Sequence, residues 1–167
     1  MKDCIINTVL EIISTYKTRN PFELCDLIPN VNLYFHFLGD ILKGYYLFYN
    51  DIHNIVIDNT LSRVDQLIVI GHELGHLFLH SQFAVAFRET GFDNTDKIEL
   101  EANIFCAELL ISDENIISLI NQSYPLDMIS YEIGYPVWLI DCKIQALKRK
   151  GYDLPFLYIA NRSSIKM

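Results

Sequence analysis

His72-Glu73-Leu74-Gly75-His76 places two imidazoles four residues apart. On an α-helix such residues differ by about 40° in direction and about 6 Å in rise. Side-chain rotation closes that gap, so both imidazoles can reach one ion at Zn–N distances of about 2.0–2.1 Å. Glu73 follows the first histidine and points to one side of it, where a carboxylate can hold water beside an ion instead of the ion itself. Zinc lowers the pKa of a bound water to about 7, and the carboxylate can take its proton as the water attacks a carbonyl. The chemistry on offer is metal-assisted hydrolysis.

A catalytic zinc takes three protein ligands and keeps a fourth position open. His80 lies about 12 Å along the axis from His72, too far for all three histidines to share one ion. It reads instead as a polar residue favourable to the last turn of the helix. Nor does the spacing after His76 give the second glycine-and-histidine signature of metzincins. The better third ligand is in Glu99-Leu100-Glu101-Ala102-Asn103. On a helix Glu99 and Asn103 share a face, whereas Glu101 points about 200° away from Glu99. Glu99 supplies a carboxylate, and Asn103 an amide that can orient a ligating imidazole. Taken alone, the same acidic segment also reads as an ordinary solvated face.

The elements that must position these residues are legible in outline. Ile5, Ile6, Val9, Leu10, Ile13 and Tyr16 form a helical stripe over 2–16, and Asn20-Pro21 restarts a short helix to about Leu27. From Val31 to Asp58 the texture turns β-branched and aromatic, with strands expected near 31–38, 44–49 and 53–58. Adjacent antiparallel pairing is the simplest arrangement of the three. Ser62 with Asp65 resembles a capping box opening a helix that runs to about His80. Between Leu67 and Leu79 its only polar side chains are His72, Glu73 and His76, so the helix is expected to be central. Gly71 and Gly75 each cost about 1 kcal/mol inside a helix, which suggests close approach of another backbone or of substrate, and tight structural packing explains it equally well. A polar loop at 88–95 precedes a helix over about Thr95–Leu110. Shorter helices follow near 113–121, 126–133 and 137–150, with Gly151 placed to stop the last. The order gives an α+β fold in one domain, 1–167.

Composition narrows the function classes. Of 167 residues, 51% are hydrophobic and 20% charged, enough to bury a core and too apolar for disorder. A net charge of −8 argues against coating nucleic acid by bulk electrostatics. No apolar run reaches the roughly 18 residues that cross a bilayer, and Met1-Lys2-Asp3-Cys4 does not begin a secretory signal. Cys4, Cys25, Cys106 and Cys142 are scattered, suggesting neither a disulfide framework nor a cysteine zinc site. A cytoplasmic protein without membrane partners is expected.

The sequence resembles the ImmA/IrrE family of single-domain zinc metallopeptidases of bacteria, phages and mobile elements. The likeness is carried by Tyr16-Lys17-Thr18-Arg19-Asn20-Pro21-Phe22, Ile55-Val56-Ile57-Asp58, HELGHLFLH at 72–80 and ELEANIFCAELLIS at 99–112. Ile111-Ser112 departs from the family's usual Met-Pro. Cys106 occupies a small-residue position and reads as a buried packing residue. The resemblance implies a compact gluzincin-like fold, Zn2+ held by His72, His76 and Glu99, and Glu73 as general base. It also implies cleavage of a transcriptional repressor, often encoded nearby, with another protein or the substrate's own conformation restraining activity.

Three questions stay open at this level. An extended substrate could pair with an edge strand, but any of the three strands could be that edge. The donor to the oxyanion could be Tyr45, Tyr46 or Arg88 by position alone. Residues 126–150 have the rhythm of a helix-turn-helix, which raises the alternative of a DNA-binding regulator. Residues 126–167 hold six basic and four acidic side chains, a local +2, against −10 for residues 1–125. The second helix opens Pro136-Val137-Trp138-Leu139-Ile140-Asp141, poor in donors for base edges or phosphate, so direct nucleic-acid binding is not favoured. A third reading keeps the metal and replaces cleavage by sequestration of the repressor.

Overall fold

The computed structural model describes residues 4–40, 42–80 and 95–155, and over them the chain is α+β, with seven helices and a three-stranded sheet. Helix α1 (Cys4–Tyr16) buries Ile5, Ile6, Val9 and Ile12. Ile12, not Leu10, completes the buried stripe, and Leu10 is exposed. Lys17 turns the chain with a positive φ of 59°. Asn20 then caps α2 (Pro21–Leu27), its side chain accepting from Phe22 N–H at 3.1 Å. Between the two helices, Arg19 Nη1 donates to the carbonyls of Glu108 and Leu109 at 2.9 and 3.1 Å. It thereby satisfies carbonyls at the end of a distant helix.

Strands β1 (Val31–His36), β2 (Gly44–Tyr49) and β3 (Ile52–Asp58) stand in the order β1-β3-β2. The expectation of an all-antiparallel sheet is corrected here: β2 pairs antiparallel with β3, but β1 pairs parallel with it. The physical reason lies in two places. Asn50 and Asp51 both take positive φ, 51° and 60°, the conformation of a two-residue hairpin turn that locks β2 onto β3. At the other end of β3, the buried carboxylate of Asp58 accepts from Leu38 N–H at 2.6 Å and from Thr60 N–H at 2.7 Å, and also from the Thr60 hydroxyl. The chain leaving β1 is thus anchored across the end of β3, and β2 comes down on its far side. Ile55 and Ile57, with no exposed surface, gain a neighbour on each edge.

Ser62 accepts from Asp65 N–H at 3.2 Å and donates its hydroxyl to the Asp65 carboxylate at 2.6 Å, opening α3 (Arg63–His80). Helix α3 buries Ile68, Ile70, Leu74 and Leu77. It packs on α4 (Thr95–Leu110) through its glycines. A β-carbon on Gly71 would lie 3.0 Å from Cys106 Sγ, and one on Gly75 would lie 3.0 Å from Ala102 Cα. The close approach expected of these glycines is therefore between two helices. Cys106 is fully buried, as expected, and its thiol donates to Ile68 O at 3.3 Å. The expected loop at 88–95 lies outside the described residues except for Thr95, which opens α4.

Three helices complete the chain: α5 (Asp113–Asn121) capped by Ser112, α6 (Leu126–Ile133) ended by left-handed Gly134, and α7 (Val137–Arg149) followed by left-handed Gly151. Helix α7 is a core element. Leu139, Ile140, Ile144, Ala146 and Leu147 are buried. Lys143, with no exposed surface, donates to Glu108 and Asp113 at 2.6 Å each. Lys150 bonds the same two carboxylates, so two cations balance two anions where α4, α5 and α7 meet. No helix among the described residues is long and apolar enough to cross a membrane.

Candidate metal centre

The α3–α4 contact brings His72 and His76 opposite Glu99. His72 Nε2 stands 3.0 Å from His76 Nε2 and 3.2 Å from Glu99 Oε2, and His76 Nε2 stands 3.4 Å from Glu99 Oε1. Donors held at about 2.0–2.1 Å from one tetrahedral ion are separated by about 3.3 Å, so the three edges fit a single cation. His72, His76 and Glu99 form the one cluster of potential metal donors found among the described residues. The two imidazoles meet edge to face, 4.7 Å between centroids.

Asn103, one turn beyond Glu99, places its Oδ1 2.9 Å from His72 Nδ1. A carbonyl oxygen only accepts, so Nδ1 carries a proton, and Nε2 of His72 is the ring nitrogen that faces His76 and Glu99. Glu73 does not enter the triangle. It is buried on α3, where the backbone N–H of Tyr46 on β2 favours its charged form.

The charges respond to this packing. Burial pushes the Glu73 carboxyl up to about 7, with His72 and Tyr46 N–H pulling down and Glu99 pushing further up. For His72, burial opposes protonation, but the Glu99 hydrogen bond and the nearby Glu73 and Glu99 carboxylates outweigh it and raise its pKa. His76 is pushed down to about 4 by burial and then by the charge of His72. The hydrogen bond from His72 holds Glu99 below the usual carboxylate range despite partial burial.

Other candidates fall outside the triangle. His80 is buried and bonds Glu101 Oε2 at 3.0 Å. Glu101, directed away from Glu99 as the helical angle requires, therefore meets His80 and lies 3.8 Å from Lys97. The Tyr46 phenol is pushed up to about 12 by burial and faces His53 Nδ1 at 2.7 Å, so its contribution to the site is its backbone N–H. Tyr45 is exposed, and Arg88 lies outside the described residues. The sequence offers Tyr46 only by position, as a candidate donor to the oxyanion. An N–H carries no side-chain signature, and only the pairing of β2 beside α3 reveals its role.

Residues 29–129, from the turn before β1 into α6, match the peptidase family described as the IrrE N-terminal-like domain. The chain is similar to uncharacterized immunity region protein 2 of Bacillus phage phi105, 35% identical over 136 residues, covering 81% of this chain and 85% of the relative. It is also similar to Metallopeptidase ImmA of Bacillus subtilis (strain 168), 25% identical over 160 residues, covering 86% of this chain and 85% of the relative. A match over more than half the chain, together with these relatives, identifies it as a member of the ImmA/IrrE family of metallopeptidases.

Proposed function

We propose that this chain is a zinc-dependent endopeptidase with a gluzincin arrangement, acting in the bacterial cytoplasm on a transcriptional repressor of a phage or mobile element. The observation that carries the reading is the triangle of His72, His76 and Glu99 with Glu73 buried beside it. His72, His76 and Glu99 would hold Zn2+, which when bound polarises a carbonyl and lowers the pKa of water to about 7. Asn103 fixes the tautomer and ring orientation of His72. Glu73 accepts the proton of the attacking water and hands it to the leaving amine. A buried carboxylate next to the ligand set can do both.

The geometry also favours one edge strand. Asp58 N–H donates to Lys43 O at 2.8 Å, so residue 43 faces β3. By alternation along an antiparallel ladder, residues 44, 46 and 48 turn their backbone groups to the free edge of β2. Gly44 of β2 borders the same cavity as Glu73, which puts this edge beside the base. An extended substrate segment pairs there as an added strand. The repressor is supported by the relatives' names, an immunity region protein and ImmA.

The test uses zinc-loaded protein and the helix-turn-helix repressor encoded beside its gene, with masses read after incubation. Cleavage by the wild type and an intact repressor with Glu73→Gln, which keeps its zinc, are expected. An unchanged repressor mass with the wild type would leave only sequestration, and cutting by Glu73→Gln would remove Glu73 as the base.

A further inference from the structure

A cavity of about 280 Å³ opens beside Glu73, His72 and Asn103. Ile68 and Val69 of α3 line one side, Gly44 borders it from β2, and Pro136 and Trp138 close it from the start of α7. We propose that this cavity receives the large apolar side chain of the substrate residue adjoining the scissile bond, and that Trp138 sets the size it admits. The proposal rests on the peptidase reading above.

The lining decides the chemistry. One side is formed by His72, Glu73 and Asn103 of the candidate centre; the other walls are aliphatic and aromatic apart from Lys43 and Asp65, which do not make a built ionic site. Asp65 is already engaged by the Ser62 hydroxyl at 2.6 Å, and Lys43 is exposed. The volume is at the small end of ligand pockets, about 300–1,000 Å³, which suits one side chain and not a longer segment. Gly44 ties the cavity to the edge strand. A β-carbon there would run into Val69 Cγ1 and come within 3.0 Å of Val56 O, so glycine is what lets β2 press onto α3 at this point. A peptide paired with β2 sends alternate side chains to the face of the sheet that packs on α3, where the cavity opens.

Trp138 is held as a wall. Gly134 turns the chain with φ 81°, Ser130 Oγ donates to Tyr135 O at 2.6 Å, and Pro136 starts α7. Leu139 and Ile140, directly after Trp138, have no exposed surface. Trp138 is 46% exposed, leaving apolar surface open beside the candidate centre. The helical pair that reads as a DNA-binding rhythm in sequence thereby acquires a different use, forming one wall of the substrate site.

Trp138 is the sole tryptophan of the chain, so its emission reports on this cavity alone. Zinc-loaded Glu73→Gln is titrated to millimolar concentration with acetyl-Gly-Gly-Phe-Gly amide and with its all-glycine counterpart. A saturable emission change with the phenylalanine peptide only is expected, and no change with either overturns the proposal. In parallel, wild type, Trp138→Ala and Trp138→Phe digest one library of proteome-derived peptides. Trp138→Ala is expected to shift preference at one position flanking the cut toward bulkier side chains by tenfold or more in kcat/KM ratio, the scale of a resized apolar pocket. Trp138→Phe shifts it less, and other positions are unmoved. Hydrolysis with the same preference in all three removes the cavity assignment and leaves the peptidase. The emission response without wild-type hydrolysis removes the peptidase reading and retains the cavity as a binding site for apolar side chains.

Discussion

Gly75 of α3 and Ala102 of α4 meet so closely that a β-carbon on Gly75 would stand 3.0 Å from Ala102 Cα and 3.1 Å from its carbonyl oxygen. Both obstacles are backbone atoms, and the same helix pair carries the residues proposed to hold the metal. Gly75→Ala gains about 1 kcal/mol of helix propensity but overpacks at a cost of about 1–3 kcal/mol. A net loss of up to about 2 kcal/mol is expected, with weaker zinc binding as Glu99 moves off. Gly71→Ala meets the Cys106 side chain and not backbone, so it costs less. Thermal unfolding of the two variants with and without zinc checks the order.

Asn103 orients His72 through one hydrogen bond of 2.9 Å. Asn103→Ala is expected to weaken zinc binding by about 10–100-fold while leaving the fold intact. Asn103→Asp keeps an acceptor at the same place and retains most of the affinity. Competition with a chelating dye measures both. Equal affinities for wild type and Asn103→Ala would remove Asn103 from the centre.

Asp58 gives the protein an acid-side weakness. The Thr60 hydroxyl, then the N–H groups of Leu38 and Thr60, favour its charged form and lower its pKa below 3.8. A carboxylate whose folded pKa is depressed stabilises fully above its unfolded value and loses that contribution as pH falls through the folded one. Denaturant midpoints should therefore fall below about pH 4 in the wild type. Asp58→Asn should be weaker at neutrality and show a flatter acid limb, and identical acid limbs would contradict the assignment.

Lys143 and Glu108 form an ion pair with no exposed surface on either side chain. Lys143→Met leaves Glu108 short of a partner and is expected to cost about 3–5 kcal/mol. Lys143→Met combined with Glu108→Leu removes both charges and should recover a large part of the loss. Additive losses in urea unfolding would show that the two side chains act independently.

Much of the local architecture, and the candidate side chains that converge between α3 and α4, could be read from the residues in order. The helix of His72 and His76, the Asn20 and Ser62 caps and the Gly134 and Gly151 stops depend on contacts within a few positions, where type and spacing act directly. Glu99 and Asn103 shared a readable face for the same reason, since 3.6 residues make a turn. The pairing of β1 with β3 was not readable, because it turns on a carboxylate twenty residues from the N–H it holds. Lys143, an ordinary solvated residue by type, is buried because α4 and α5 bring two carboxylates to it. Tyr46 N–H and the wall made by Trp138 exist only once β2 and α7 are set against α3. Periodicity and capping are properties of the chain itself. The neighbours that settle a backbone donor, a buried charge or a pocket wall come from distant segments, and only folding puts them within reach.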